Sequence, residues 1–266
     1  MLLHAGHALA ARLEACEGAT CAAHVTTHAA LDPACGAAVM EVHGVRAMFD
    51  GVGAPMTQTF GLGMLASVDD AALDHLEAFF RARGAAVHHE VCPLAGVELV
   101  ARLVARGYRP IELSNVLVRG LDVVPPPVHG FVARVAHREE REAWVTASAR
   151  GWSDDPATAA MIAEIGRVSF DSPLITPVAV LEGPRIVATG ALAIHDRVAL
   201  MAGASTIPEA RGRGAQGALF AHRLELARER GAELAMMVAE CGSGSQRNAE
   251  RSGFRIAYTR TKWALA

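Results

Sequence analysis

The sequence has no long apolar run, no paired cysteines and little net charge, and each absence excludes a class of protein. Hydrophobic residues make up 52% of its 266 positions, yet no stretch approaches the roughly 20 residues that cross a bilayer. The first residues lack a basic segment ahead of an apolar one, so we expect no signal peptide. With a net charge of −3, no overall field attracts nucleic acid or an anionic membrane. These features predict a cytoplasmic protein without a nucleic-acid or membrane partner.

Cysteine and histidine are present, but not in patterns that bind metal or form a disulfide framework. The pair His24 and His28 has helical spacing, and a second group begins at His88 and His89, but neither has a matching second pair of ligands. An odd number of cysteines without a CxxC motif suits a reducing compartment. The cysteines are Cys16, Cys21, Cys35, Cys92 and Cys241. We therefore expect five free thiols and no metal.

The most informative segment is a turn rich in glycine and arginine. The apolar run 198–204 before it predicts a strand, and the amphipathic run 218–230 after it predicts a helix. Such a turn can point several backbone N–H groups and the positive end of the helix at one anion. The turn carries Arg211, Gly212, Arg213, Gly214, Ala215, Gln216 and Gly217. These residues predict a binding site for a phosphate or pyrophosphate.

Two common phosphate loops fit this turn poorly. A Walker A loop needs Lys-Ser/Thr after its last glycine, but Ala218-Leu219 follows Gly217. The dinucleotide fingerprint Gly-x-Gly-x-x-Gly is satisfied literally, with Glu240 as a ribose-binding acid. However, four residues separate the strand from the first glycine, and the strands upstream predict an antiparallel hairpin. A dinucleotide-binding module is therefore the less favoured alternative.

The segment closely resembles the acetyl-CoA site of the GNAT superfamily of N-acetyltransferases. Ile207-Pro208-Glu209 followed by Arg211-x-x-Gly214 is similar to the family's Arg/Gln-x-x-Gly-x-Gly/Ala motif, although Gln216 stands where Gly or Ala is usual. Downstream, a strand, a short helix and the step Gly253-Phe254 occur in the family's order. The resemblance covers about residues 130–266. It implies acetyl-CoA as co-substrate, no metal, and direct transfer of an acetyl group to the amine of a small molecule or peptide.

The resemblance also implies roles for individual residues. The backbone of 204–207 would line the pantetheine arm, and the N–H of Thr206 or Ile207 would polarise the thioester carbonyl. Further polar contacts to the cofactor would come from Ser245 and Asn248. The residues that we expect to bind acetyl-CoA are therefore Ser205, Thr206, Ile207, the turn from Arg211 to Gly217, Ser245 and Asn248.

The catalytic groups are less defined. Glu240 is our candidate general base, and a solvated carboxylate at a strand end is the alternative. The family's usual tyrosine acid is replaced by Ala249, which leaves Tyr258 as the candidate acid; simple packing beside Trp263 is the alternative. The segment 152–155 borders the acceptor site by resemblance. The missing tyrosine keeps open a second hypothesis, a non-catalytic acyl-CoA sensor or scaffold.

A proline-rich linker, 123–130, divides the chain into a degenerate GNAT-like domain, 1–122, and an N-acetyltransferase domain, 131–266. Both halves show the same helix–strand–helix–strand pattern, which indicates a tandem duplication. The predicted fold class is α/β, an α+β arrangement in which each domain has a mostly antiparallel mixed sheet flanked by helices. In the first half, Ser67 is the expected N-cap of helix 71–81, and Asp69 and Asp70 would repel a pyrophosphate. The oligomeric state, monomer or homodimer, stays open.

Overall fold

The computed structural model describes residues 4–126 and 128–265, which alternate between helices and strands. The described residues form seven α-helices: α1 (His7–Leu31), α2 (Asp70–Arg81), α3 (Val97–Ala105), α4 (Arg141–Trp152), α5 (Pro156–Asp171), α6 (Ala215–Glu229) and α7 (Gly244–Arg251). They form eleven strands: β1 (Ala38–Val42), β2 (Val45–Phe49), β3 (Gln58–Phe60), β4 (His88–Val91), β5 (Tyr108–Gly120), β6 (Val132–Val135), β7 (Ile175–Glu182), β8 (Arg185–His195), β9 (Val198–Thr206), β10 (Leu234–Glu240) and β11 (Arg255–Leu265).

The chain forms two compact units that do not follow chain order. One unit holds the residues up to Val118 together with those from Val238 onward, and the other holds Arg119–Met237. The boundaries predicted from the proline-rich linker instead assign 131–266 to a single domain. The difference arises because β11, the last strand, hydrogen-bonds antiparallel to both β4 and β5. A linker composition can mark a connection, but it cannot tell with which sheet a later strand pairs.

In the first unit the strand order is β1-β2-β3-β4-β11-β5. β1, β2 and β3 pair antiparallel, whereas β3 and β4 are parallel and share one pair, Thr59 with His89. α2 connects those two strands, and its apolar face packs into a core that includes Leu73, Leu76 and Phe80. β11 has ten pairs with β5. The unit therefore has a mixed sheet, mostly antiparallel, as the sequence predicted.

The second unit has the strand order β6-β7-β8-β9-β10. β6 to β9 form an antiparallel meander, and α6 returns the chain so that β10 pairs parallel with β9. The predicted hairpin is thereby confirmed as β8 and β9, which rules against the strand arrangement of a dinucleotide-binding fold. α4 packs on the sheet, where the indole Nε1 of Trp144 donates to the Val178 carbonyl at 2.9 Å.

One local expectation of the sequence is wrong. Ser67 does not cap α2; the Asp69 side chain accepts from the Ala72 N–H at 2.9 Å instead. β3 ends at Phe60, since Gly61 and Gly63 adopt positive φ angles of 81° and 72°. No helix within residues 4–126 and 128–265 has the length and apolarity to cross a membrane.

Candidate acyl-CoA site

The glycine-rich turn follows β9 and leads directly into α6. After Ile207, Pro208–Ala210 form one turn of 3₁₀ helix. Gly212 and Gly214 have φ angles of 73° and 100°, which a residue with a side chain rarely adopts. A Cβ on Gly214 would also lie 3.3 Å from the Val128 side chain. The two glycines therefore turn the chain tightly enough to place the first residues of α6 at the end of β9.

The start of α6 is unsatisfied within the described residues. Its N-cap is Gly214, no side chain caps the first turn, and that turn contains no acidic residue. The N–H groups of Ala215, Gln216 and Gly217 therefore point out of a helix end that carries a partial positive charge. Such an end binds an anion with backbone groups alone. This geometry is the one that the sequence predicted for a pyrophosphate.

The two arginines of the turn have protein partners. Nε of Arg211 donates to the Thr206 carbonyl at 3.2 Å, and its Nη2 donates to the Gly151 carbonyl at 3.1 Å. Arg213 forms a salt bridge with Glu182, with Nη1 and Oε2 3.1 Å apart. Arg211 thus ties the turn to the end of α4, and Arg213 ties it to the β7–β8 turn. Both side chains position the loop, which leaves mainly backbone N–H groups for the predicted anion site.

Gln216 occupies the position where the GNAT motif has a small residue. Its side-chain oxygen accepts from the Thr206 hydroxyl at 3.3 Å. The side chain therefore lies back toward the end of β9 and points away from the axis of α6. A residue of this size is compatible with the helix end because it has a partner on the strand.

The end of β9 shows which backbone N–H could polarise a thioester. The N–H of Ile207 donates to the Val187 carbonyl at 3.0 Å, so it is already used by β8. In an antiparallel pair the neighbouring residue turns its N–H and C=O to the opposite edge, and the Thr206 carbonyl does accept from Arg211 there. Of the two predicted donors, Thr206 is the one whose N–H faces away from β8.

The edge of β9 that Thr206 faces is open over much of its length. β10 pairs with β9 over three residues, Leu234–Met236 with Val198–Leu200. β9 continues for six more residues to Thr206, beyond the last pair that the described residues form with β10. A register shift at 203–204, where two residues face Gly190 alone, bends this part of the strand. An extended ligand could add its amides to such an edge.

Ser205 has a structural contact that the sequence did not reveal. Its hydroxyl lies 3.0 Å from that of Thr189 and donates to the Ser148 carbonyl on α4 at 3.2 Å. Gly151 packs over it so closely that a Cβ there would lie 2.6 Å from Ser205 Oγ and 2.9 Å from the Thr206 nitrogen. Ser205 therefore fixes α4 on the end of β9, and Gly151 permits the contact.

A cavity of about 400 Å³ lies between α4 and α5 and reaches Pro208, just before the glycine-rich turn. Its lining is partly apolar and partly charged, and it contains one carboxylate. The lining residues are Val145, Thr146, Ala149, Arg150, Ser153, Asp154, Ala159, Ala163, Arg167 and Pro208. Two of the residues that the sequence associated with an acceptor, Ser153 and Asp154, thus line a real cavity. Trp152 ends α4 and is 52% exposed.

The remaining predicted site residues, from Glu240 onward, belong to the first compact unit. Glu240 ends β10 and is exposed, and Ser245 and Asn248 lie exposed on α7. The N-cap of α7 is Ser243, whose hydroxyl accepts from the Gln246 N–H at 3.2 Å. Neither Ser245 nor Asn248 is the N-cap of this helix, and their contact with the cofactor stays a prediction.

Tyr258 has a partner that neither sequence-based interpretation anticipated. Its hydroxyl is buried and donates to Oε1 of Glu14 on α1 at 2.7 Å. Burial and the carboxylate of Glu14 raise the pKa of this phenol far above its ordinary value. The hydroxyl is therefore not at the surface. A role of Tyr258 as the general acid stays a prediction.

Comparison with solved structures gives the fold. A GCN5-related N-acetyltransferase from Kribbella flavida superposes with a TM-score of 0.64 at 21% identity, over 92% of this chain and 95% of that one. Another from Sphaerobacter thermophilus gives 0.58 at 18% identity, over 86% and 75%. A tandem GNAT protein from the clavulanic acid biosynthesis pathway gives 0.59 at 14% identity, over 84% and 78%. No protein-family model and no curated protein matches the chain.

The chain has the GNAT fold. Its similarity extends over both halves, because each of these structures superposes on more than four fifths of the chain. In the GNAT fold of this protein, the order α2–β4–α3–β5 in the first half is repeated as α6–β10–α7–β11 in the second. The predicted repetition of elements is confirmed, while a gene duplication as its origin stays a prediction.

Proposed function

We propose that this protein is an acyltransferase that moves an acetyl group from acetyl-CoA to an amine by direct transfer in a ternary complex. One observation supports the proposal most directly. α6 begins without a cap, and the strand before it in the chain, β9, has an open edge beyond its third pair with β10. The helix end supplies a site for a pyrophosphate, and the open edge supplies a site for the amides of a pantetheine arm. A GNAT fold with both features suits coenzyme A.

The geometry gives each part of the site a chemical task. The N–H groups of Ala215, Gln216 and Gly217 would hold the pyrophosphate, whose negative charge is stabilised by the helix dipole. The N–H of Thr206 would donate to the thioester oxygen as negative charge develops there. Removing one such donor from an acyl-transfer site typically costs about 10²- to 10³-fold in rate. Arg211 supports this donor because it holds the carbonyl of the same residue.

The acceptor amine must lose a proton before it attacks the thioester carbon. The acyl carbon of the thioester then forms the new C–N bond with the amine as its C–S bond breaks, and coenzyme A leaves as the thiolate. Asp154 is the carboxylate of the cavity between α4 and α5, so we propose that it binds the ammonium form of the amine. Glu240 remains our candidate for the general base. Coenzyme A is a good enough leaving group that no dedicated acid is needed.

Two measurements test the proposal. Calorimetry with acetyl-CoA should show one site of micromolar affinity, which Gly214→Glu abolishes because that variant combines a strained φ with a repelling charge. A thiol-release assay across a panel of amines should then show turnover. Wild-type protein that binds no acetyl-CoA would contradict the proposal.

A non-catalytic acyl-CoA sensor is the second candidate. Ala249 is fully buried where the family has its tyrosine, and Tyr258 is engaged by Glu14. Both observations leave the chain without an evident general acid. Binding of acetyl-CoA without turnover for any amine would favour the sensor, and turnover with one acceptor would eliminate it.

A further inference from the structure

A guanidinium group lies in the core of the second unit without a counterion among the described residues. Arg223 is on the sheet-facing side of α6 and is 0% exposed. Burial alone lowers its pKa to about 9, so the group keeps its charge at neutral pH. An unpaired buried charge costs folding free energy that a hydrophobic residue of similar volume would not. Stability therefore does not explain why an arginine stands at this position.

The Arg223 guanidinium lies over the Phe220 ring, with its Cζ 5.3 Å from the ring centroid, and its hydrogen bonds go to two strands. Its Nη1 donates to the Ala191 carbonyl on β8 at 3.1 Å and to the Ala202 carbonyl on β9 at 3.2 Å. Its Nε and Nη2 have no hydrogen-bond partner within the described residues. A Cβ on Gly190 would lie 3.0 Å from Nη1 and 3.2 Å from Cζ. The glycine therefore makes room for the guanidinium to lie on the sheet.

These two carbonyls mark the edge of the irregularity in β9. Ala191 and Ala202 face each other, and the next pair along the strands is Thr189 with Ser205. Gly203 and Ala204 thus share a single opposite residue, and Gly203 has a φ of 58°. A bulge of this kind changes the direction of the strand that follows it. Here the strand that follows is Ser205–Thr206, which leads into the candidate acyl-CoA site.

We propose that Arg223 is a positioning residue that clamps this bulge and thereby sets the direction of the Thr206 N–H. One nitrogen bridges β8 and β9 at the last regular pair, so the two strands cannot slide or separate where the bulge begins. This inference rests on the proposed acyl transfer, in which that N–H stabilises the developing oxyanion. It explains the unpaired charge as a loss of stability retained for the geometry of the site.

The test is Arg223→Met, which keeps the length and apolar volume of the side chain. We expect kcat for thiol release to fall at least tenfold, because the donor is displaced from the oxyanion. The Kd of CoA should change less than threefold, since the pyrophosphate site lies two turns away at the start of α6. Tm should stay equal or rise. Arg228→Met is the matched control, because that side chain pairs with Glu225 at the surface of the same helix and should change none of these quantities.

Two further variants keep the proposal falsifiable. Arg223→Lys retains the charge without the planar fork, and we expect a kcat between those of wild type and Arg223→Met. If Arg223→Met does not fold, Gly190→Ala displaces the guanidinium from the sheet by a single methyl group and should lower kcat in the same way. A kcat within twofold of wild type, or a parallel fall of kcat, CoA affinity and Tm, would overturn the clamp.

Failure of the proposed function is distinguishable from failure of the clamp. Wild-type protein without acyl transfer would remove the function, and the clamp would then be judged by amide hydrogen exchange. Faster exchange of the 202–206 amides in Arg223→Met than in wild type supports it. Equal exchange of these amides in the two proteins would overturn it.

Discussion

In each compact unit a helix connects two parallel strands, but the two helices begin in opposite ways. α2, between β3 and β4, starts with Asp69 as its cap and Asp70 in its first turn. Asp70 also pairs with Arg102, with Oδ2 and Nη1 2.9 Å apart. α6, between β9 and β10, starts at a glycine with no cap and no acid. A helix end that is satisfied by its own side chains has nothing left to offer an anion, and one that is not satisfied requires a ligand or water.

The strands next to these helices also differ in whether their polar groups already have partners within the protein. Buried polar side chains of β3, β4 and β5 are hydrogen-bonded to one another: Thr59 Oγ1 lies 2.8 Å from His89 Nδ1, and His89 Nε2 lies 2.9 Å from the Tyr108 hydroxyl. Burial lowers the pKa of His89 to about 3, so the ring is neutral. The corresponding edge of β9 is open. In the first unit the polar side chains of these strands thus have one another as partners, whereas β9 has no pair with β10 beyond Leu200 among the described residues.

The largest effect should come from placing an acidic residue in the first turn of α6, where α2 has Asp70. Gln216→Asp places a carboxylate in the first turn, where it should strengthen the helix by about 0.5 kcal/mol yet lower acetyl-CoA affinity at least 100-fold. A like charge about 5 Å from the pyrophosphate costs about 3 kcal/mol at an effective dielectric constant near 20. Calorimetry and thermal unfolding measure the two effects. Gln216→Asn is the neutral control and should bind within threefold of wild type.

A second prediction concerns the close packing of Gly151 on α4 against Ser205 at the end of β9. Gly151→Ala should destabilise the protein by about 2 kcal/mol and weaken acetyl-CoA binding, because the methyl group collides with Ser205 and Thr206. The control is Gly166→Ala on α5, where the new Cβ meets its nearest atoms at an ordinary 3.6 Å. That variant should be up to about 1 kcal/mol more stable. If both variants behave alike in denaturant titrations, the contact of α4 with β9 does not define the site.

A third prediction removes the acid from the first unit. Asp69→Ala should cost about 1 kcal/mol through loss of the cap. The double change of Asp69 and Asp70 to Ala should still leave one acetyl-CoA per chain, because the polar side chains of β3 and β4 are already hydrogen-bonded to each other. A stoichiometry of two by calorimetry would show that charge alone separates the two units.

The smallest effect concerns pH. Burial raises the pKa of Glu14 above its ordinary value despite Arg260 beside it. The folded state of the first unit therefore gains a proton relative to the unfolded chain, so this group stabilises folding below about pH 4.5 and loses that contribution as pH rises. Glu14→Gln should flatten the dependence of Tm on pH between about 4.5 and 7.

The second unit supplies the control for that window. Hydrogen bonds from Arg134 lower the pKa of Glu140 to about 2. Its contribution is present above about pH 4.5 and is lost only as pH falls toward 2. Glu140→Gln should therefore leave the slope of Tm between pH 4.5 and 7 unchanged. The same flattening in both variants would contradict the assignment to Glu14.

Much of the second half follows from local pattern. The hairpin, the turn, α6, β10 and α7 are marked by apolar period, glycine position and capping chemistry, which act over a few residues. Arg223 illustrates what local pattern misses, since an arginine beside Leu224 in an amphipathic run gives no sign that it is buried. Its burial depends on Gly190, 33 positions earlier, on another strand.

The sequence by itself determined the uncapped start of α6, because its free N–H groups need only glycines at 212 and 214 and the absence of an acid. Tertiary structure decided the rest. It placed β11 in the first unit, gave Tyr258 to Glu14, gave Arg211 and Arg213 to protein partners, and selected Thr206 over Ile207. Each of these depends on which strand or helix lies beside another, and pairing between distant segments is set by the whole fold rather than by neighbouring residues.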